Sequence, residues 1–114
     1  MTINEIKVIL DATVLYGEDL LNRDATFVFS SDMMSDVLAF ARDQSVLITG
    51  LCNPQVVRTA EMLDIVCIIF VRGKRPNEQI LQLAKEKKIA VLGTTHHMFT
   101  TCGILYNNGL LGGA

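Results

Sequence analysis

Three successive segments decide the fold: SVLITGLCNPQVVRTAEMLD at residues 45–64, IVCIIFVRGKRPNEQILQLAKEKK at residues 65–88, and IAVLGTTHHMFTTCGILYNN at residues 89–108. Each begins with an apolar run, passes through a polar or glycine-containing loop, and continues with apolar residues at helical spacing. Strands that alternate with helices predict an α/β fold, with a three-layer parallel β-sheet that carries helices on both faces. The most apolar run, residues 65–71, is expected to be the central strand.

The residues before these segments continue the same pattern. Thr2 and Glu5 form a capping box that predicts a first helix. An extended piece at residues 12–16 follows it, and the β-branched and aromatic residues of 26–30 indicate a further strand.

The second helix is predicted over residues 33–44, with Ser31 or Asp32 as its cap. Asn53 followed by Pro54 is a strong start signal for the third helix. The apolar positions that share one face of the second helix are Met33, Met34, Val37, Leu38 and Ala41.

At the other end of the chain, Thr94 or Thr95 is expected to cap the last helix. The glycine-rich residues 109–114 are expected to fray. With 114 residues and no linker of low complexity, residues 1–114 are predicted to form a single domain.

The composition and charge of the chain limit the kinds of function that we expect it to have. Half of the residues are hydrophobic and 19% are charged. This apolar content fits either an additional buried face, such as a homodimer interface, or a sheet that is covered on both sides. The net charge of −2 and a pI of about 5.6 argue against binding to nucleic acid or an anionic membrane.

Targeting and metal signals are absent from the sequence. The first ten residues lack the pattern of a signal peptide, and no apolar run reaches the roughly 20 residues of a membrane span, so we expect a cytoplasmic protein. The three cysteines are odd in number and form no C-x-x-C, which argues against a disulfide scaffold, a zinc ribbon or an iron–sulfur cluster. No metal or cofactor is expected.

The loop of Arg72, Gly73, Lys74 and Arg75 is the sharpest candidate site. Three cations follow a buried strand and precede a helix, an arrangement that favours a phosphate or carboxylate. The alternative is an ordinary solvated loop.

Thr49 and Gly50 end the preceding strand, where Gly permits close approach of a ligand and the Thr hydroxyl is able to bind one. The alternative is a tight turn between strand and helix, because Pro54 removes a free amide and no phosphate-loop motif is present.

His96 and His97 follow Thr94 and Thr95 at the start of the last helix. Adjacent histidines point about 100° apart on a helix and cannot easily chelate one metal, although one is able to bind a ligand. The alternative is one surface histidine and one that packs at the helix end.

Cys52 lies before a helix start, where a thiol pKa is sometimes lowered, but no base has a fixed spacing to it. Asp32 forms a candidate acid pair with Asp36, although a helix cap explains Asp32 better.

Four ordered motifs together resemble the DRTGG domain family. A strand precedes Met34-Ser35-Asp36, a second strand ends in Leu47-Ile48-Thr49-Gly50, and an apolar strand runs into a glycine turn. A final strand enters a threonine-rich helix start. The last two motifs are residues 68–73 and residues 94–101, and the resemblance covers nearly the whole chain.

The chain departs from the family at its name-giving positions. The Asp-Arg pair would fall at Leu51 and Cys52, and the Thr-Gly-Gly triplet would fall at Val71, Arg72 and Gly73. Only the final glycine is retained, so a changed or lost ligand is to be expected at these loops.

The resemblance implies a regulatory or assembly role, a tendency to dimerise, and no reaction. Similar domains occur beside nucleotide-sensing modules in bacterial pyrophosphatases and in the amino-terminal half of some phosphotransacetylases. Others occur as short proteins encoded beside iron hydrogenase and NADH-dehydrogenase-like subunits. We therefore expect a non-catalytic module that dimerises and binds a small anionic ligand such as an adenine nucleotide, or docks onto an enzyme complex. The alternatives are a purely structural subunit of a redox complex and, last, a small enzyme using Cys52 or His97.

Overall fold

A computed structural model describes residues 1–113. These residues contain five α-helices, five β-strands and one 3-10 turn at Glu18–Leu20. The helices are α1 (Ile3–Leu10), α2 (Met34–Phe40), α3 (Pro54–Met62), α4 (Glu78–Lys87) and α5 (Met98–Asn107). The strands are β1 (Thr13–Tyr16), β2 (Phe27–Ser30), β3 (Ser45–Thr49), β4 (Cys67–Phe70) and β5 (Ala90–Gly93).

The five strands form one sheet in the order β1-β5-β4-β3-β2. Strands β2 to β5 are parallel to one another, and β4 is central, as its unbroken apolar sequence predicts. Strand β1 departs from the parallel prediction because it pairs with β5 in the antiparallel direction, with Thr13 opposite Gly93. An antiparallel strand at the edge of a parallel sheet is a common arrangement, so the predicted α/β class is confirmed.

Helices cover both faces of the sheet, which gives three layers. Side chains of a strand alternate between faces. Cys67 and Ile69 therefore join α1 and α5 in one apolar core, while Ile68 and Phe70 join α2, α3 and α4 in the other. Among residues 1–113, no helix is both long and apolar enough to cross a bilayer.

Side chains cap three of the helices at their amino ends. Thr2 accepts a hydrogen bond from the Glu5 amide, and Glu5 accepts one from the Thr2 amide, so the predicted capping box of α1 is present. Asn53 caps α3 in the predicted way, by accepting a hydrogen bond from the Gln55 amide. Asn77 caps α4 by accepting from the Ile80 amide.

The prediction for α2 was wrong in its bounds, its cap and its buried face. The helix spans seven residues instead of twelve, and no side chain caps it at Met33. Val37 is buried, but Met33 is 60% exposed and Leu38 is 42% exposed. Helical spacing shows which residues share a face, whereas burial also requires a neighbouring element over that face.

The carboxyl-terminal predictions also need correction. Helix α5 begins after His97, so neither Thr94 nor Thr95 caps it. The glycine-rich end packs instead of fraying: Leu110 is buried, and the Val28 amide donates a hydrogen bond of 2.9 Å to the Leu111 carbonyl. The last residue of the predicted frayed segment, 114, lies outside the described residues.

Candidate functional site

The carboxyl ends of three parallel strands meet at one edge of the sheet. Thr49 of β3 lies opposite Phe70 of β4, and Phe70 lies opposite Gly93 of β5. The loops that follow these strands therefore start at the same level, and they carry most of the candidate residues. Ligands of open α/β sheets bind at such an edge.

Asp32 already accepts hydrogen bonds from the donor groups at the end of β3. Its Oδ1 atom accepts hydrogen bonds from the Gly50 amide at 2.7 Å and from the Thr49 hydroxyl at 3.0 Å. Asp32 is thus a link between the ends of β2 and β3 and does not cap α2. An intrachain carboxylate holds the position that the sequence suggested for an anionic ligand, so Thr49 and Gly50 act here as turn residues.

The loop after β4 is a turn fixed to the loop after β5. Arg72 and Gly73 both have positive φ angles, of 60° and 69°. The Arg72 amide donates to the His96 carbonyl at 2.8 Å, and the Gly73 amide donates to the Thr94 carbonyl at 2.9 Å. These two amides are therefore used within the fold, as is the Lys74 amide, which donates to the Val71 carbonyl at 3.1 Å.

The Arg72 guanidinium lies against the backbone of Gly50. Its Nη2 atom is 2.7 Å from the point that a Cβ at Gly50 would occupy, so a larger residue there would displace Arg72. Gly50 consequently has Asp32 bonded to its amide and Arg72 against its Cα. The glycine at this strand end lets the guanidinium approach the backbone closely.

A small pocket of about 80 Å³ opens on the other side of the same loop. Its walls come from the loop after β4, from the end of β5 with the loop that follows, and from the first part of the chain. The lining residues are Gly73, Lys74, Arg75, Gly93, Thr94, Thr95, Asp11, Thr13 and Leu15. Thr94 is only 4% exposed. Its Oγ1 accepts a hydrogen bond from the His96 amide, which leaves its hydroxyl proton free to donate into the pocket.

The sequence did not point to the wall that Asp11, Thr13 and Leu15 form. Residues 12–16 were expected to be extended, but nothing in their pattern indicates pairing beside β5. That pairing places Thr13 opposite Gly93 and so brings the first strand to the edge where the other loops end.

The amino end of α4 is not part of this pocket. The Asn77 side chain caps it by accepting a hydrogen bond from the Ile80 amide, and Glu78 places a negative charge in its first turn. A helix dipole acts within about one turn of the helix end. Lys74 and Arg75 precede that turn, so the cationic side chains themselves are the groups available to an anion.

The two histidines lie apart from the pocket. His97 is exposed and begins α5, and its carbonyl accepts the Thr101 hydroxyl at 2.8 Å. His96 is half-buried, and its backbone carbonyl accepts a hydrogen bond from the Arg72 amide. Within residues 1–113, no three His, Cys, Asp or Glu side chains converge as a metal site would require.

Cys52 is exposed and lies close enough to Lys74 and Arg72 to sense their charges. Partial burial nevertheless raises the pKa of the Cys52 thiol, and the two cations only partly oppose that effect. Complete burial raises the pKa of Cys67 much further. A thiol with a raised pKa is a poor nucleophile at neutral pH.

Taken together, two cationic side chains and three threonine side chains line the small pocket at this edge. Ammonium, guanidinium and hydroxyl groups are donors to phosphate and carboxylate oxygens. The pocket therefore carries donor groups of the kind that contact anions, with the Asp11 carboxylate as the acidic part of the wall.

Comparison with known proteins agrees with this fold. The chain resembles a crystal structure of the CBS and DRTGG domains from the regulatory region of Clostridium perfringens pyrophosphatase, complexed with the activator diadenosine tetraphosphate. The TM-score is 0.72 at 21% sequence identity, over 91% of this chain and 45% of that one. This chain thus spans less than half of that structure, and at such identity the likeness shows the fold alone.

Comparison of sequences tests which family the chain belongs to, in addition to its fold. No curated protein matches the chain significantly. The family model of the DRTGG domain, however, matches residues 5–107, which is most of the chain and includes every loop described above. The resemblance that the strand-end motifs suggested is thereby confirmed: this chain belongs to the DRTGG domain family.

Proposed function

We propose that this domain is a non-catalytic regulatory or accessory module that binds a small phosphate-bearing ligand of the adenine-nucleotide class. The observation that carries the proposal is the pocket beside Lys74 and Arg75, where the Thr94 and Thr95 hydroxyls add neutral donors. Charge-assisted hydrogen bonds from such groups are the strongest contacts available to a phosphate.

The size of the pocket limits how such a ligand binds. A volume of about 80 Å³ suits a phosphoryl group and is too small for a whole nucleotide. The adenosine portion would lie across the exposed rim, beside Arg75 and Asp11. The Asp11 carboxylate would repel further negative charge and would accept a hydrogen bond from a ribose hydroxyl.

The nucleotide class is supported by the relative described above. That regulatory region, from a pyrophosphatase, was crystallised with a diadenosine polyphosphate as its activator. We extend to this chain the class of ligand only, because the two chains share 21% of their residues. The proposal also includes dimerisation, and docking onto an enzyme complex of the hydrogenase or NADH-dehydrogenase type or onto a nucleotide-sensing module.

A second candidate is a structural assembly subunit that binds no ligand. The observation in its favour is the amount of exposed apolar surface, above all Phe99 and Tyr106 on α5. In this role the basic loop would be a solvated turn. A small enzyme based on Cys52 has no such support, because the pKa of this thiol is raised.

Thermal unfolding and titration calorimetry with AMP, ADP, ATP and diadenosine tetraphosphate test the proposal. A ligand at about 100 times its dissociation constant stabilises the folded state by about 2.7 kcal/mol, which raises the midpoint by several degrees. The variant Lys74→Ala/Arg75→Ala should lose this shift. The control Arg58→Ala/Lys85→Ala removes the same charge from exposed helix positions and should keep it. A flat panel with the unaltered protein would favour the structural subunit.

A further inference from the structure

The outer face of α5 carries an exposed aromatic pair. Phe99 is 89% exposed and Tyr106 is 67% exposed. They are seven residues apart, so they point within about 20° of each other around the helix. The opposite face of α5 holds Thr101 and Leu105, which are fully buried against the sheet. Helix α5 thus presents apolar side chains both to the core and to solvent.

A glycine lies between the two aromatic residues. Gly103 is in the middle of α5, where a glycine costs about 1 kcal/mol relative to alanine. A Cβ placed on Gly103 would meet no atom within 4 Å, so packing within the monomer does not require a glycine there. A residue without a side chain at this point permits close approach by another backbone.

Helix α5 and the segment that follows it carry no charged side chain. Residues 89–114 contain no Asp, Glu, Lys or Arg, whereas α4 alone contains two glutamates and two lysines. A surface helix usually carries charged residues on its solvent side. Protein interfaces, by contrast, are enriched in Phe, Tyr and Met and depleted in charged residues.

A groove of about 180 Å³ adjoins Tyr106. Its walls come from β2, from Cys102 and from the carboxyl-terminal segment, and they include Val28, Leu110 and Leu111. A cavity of about 150 Å³ with apolar walls is known to hold a benzene ring. The groove is therefore large enough to receive one phenyl side chain.

We propose that the outer face of α5 is a two-fold interface with a second copy of this chain. The inference rests on the dimerisation part of the proposed function and names the surface that performs it. When two antiparallel α5 helices cross at Gly103, Phe99 of each copy arrives beside Tyr106 and its groove on the other. A two-fold interface of this kind is self-complementary, and a face without charge meets its own copy without repulsion.

The shape of this face favours a second copy over a different protein. The same face carries both a protruding phenyl group, Phe99, and a groove of a size that one phenyl group fills, so a two-fold axis satisfies both at once. The basic pocket at Lys74 and Arg75 lies on another loop, so substitutions at each surface are able to test it separately.

Light scattering and sedimentation equilibrium over a wide range of protein concentration test the interface. The unaltered protein should show about twice the chain mass of 12.6 kDa. Phe99→Glu places a charge at the contact, and Gly103→Leu blocks the helix crossing with a side chain whose Cβ meets no atom of the monomer within 4 Å. Each should raise the dimer dissociation constant by about tenfold or more. Val8→Glu is the matched control, because Val8 is an apolar residue on α1 that is also 67% exposed.

The possible results test the α5 interface separately from dimerisation and from ligand binding. Dimers of the unaltered protein and of Val8→Glu, with monomers of both α5 variants, support the interface, provided that circular dichroism shows all variants folded. Dimers that persist in both Phe99→Glu and Gly103→Leu overturn the assignment of the surface and leave dimerisation intact. An unaltered protein that stays monomeric overturns dimerisation as well, and the nucleotide titration then decides separately about the ligand.

Discussion

Replacing Asp32 with alanine should destabilise the domain although the side chain is exposed. The change removes the acceptor of two charge-assisted hydrogen bonds, from the Gly50 amide at 2.7 Å and from the Thr49 hydroxyl at 3.0 Å. Both donors belong to buried residues and would lose their partner. Each such bond contributes about 1.5–3 kcal/mol when it is well buried.

Because the Asp32 carboxylate is exposed and water partly replaces it, we expect each bond to contribute about 1 kcal/mol, which is below this range. The free energy of unfolding should therefore fall by about 2 kcal/mol in total. For a domain of this size, that loss lowers the midpoint of thermal unfolding by roughly 6–12 °C. Asp32→Asn retains a side-chain oxygen that is able to accept both bonds, so it should lose about half as much.

Urea denaturation followed by circular dichroism measures these free energies directly. The control is Asp36→Ala, which removes an exposed acid from the neighbouring turn of α2. If the free energy of unfolding of Asp32→Ala lies within about 0.5 kcal/mol of that of the unaltered protein, water replaces the carboxylate at no cost. The proposed link between β2 and β3 would then have to be abandoned.

Three further changes test other parts of the structure. Phe70→Ala empties a fully buried site on the central strand and should cost about 3–5 kcal/mol in urea denaturation, with a smaller loss counting against tight packing there. Thr2→Ala removes the capping box and should cost about 1 kcal/mol. Hydrogen bonds from the Thr2 backbone and side chain lower the pKa of Glu5, so ionised Glu5 should stabilise the fold fully at neutral pH and lose this effect as the pH falls below about 4. If Thr2→Ala loses as much stability in acid as the unaltered protein does, this explanation is contradicted. Lys74→Met should raise the pKa of Cys52 further, so that alkylation of Cys52, followed by peptide mass spectrometry, slows at a fixed pH; an unchanged rate would place the two groups too far apart to interact.

Much of the fold could be predicted because local signals and burial agree. The apolar run around Ile68 and Phe70 is long enough for a strand but too short for a helix, and it does form the centre of the sheet. Asn53 and Pro54 mark the start of α3 because both act through backbone groups within one turn. Interactions of this range are encoded by neighbours in sequence.

The candidate site was harder to predict because its contacts join distant parts of the chain. An aspartate before a helix usually caps it, yet Asp32 bonds instead to Gly50, eighteen residues further along. Asp11 and Thr13 reach the pocket only because β1 pairs with β5, and the partner of an edge strand depends on packing across the whole sheet. No local pattern contains this information.

Two backbone hydrogen bonds, from Arg72 to His96 and from Gly73 to Thr94, join the loop after β4 to the loop that leads into α5. These bonds connect the loop that carries Lys74 and Arg75 to the residues just before α5. If a ligand at the pocket changes the dimerisation constant of the α5 face by some factor, the dimer must bind that ligand more tightly or more weakly than the monomer by the same thermodynamic factor. Nucleotide affinity would then depend on protein concentration, and the cellular abundance of the protein would itself set the threshold of its response.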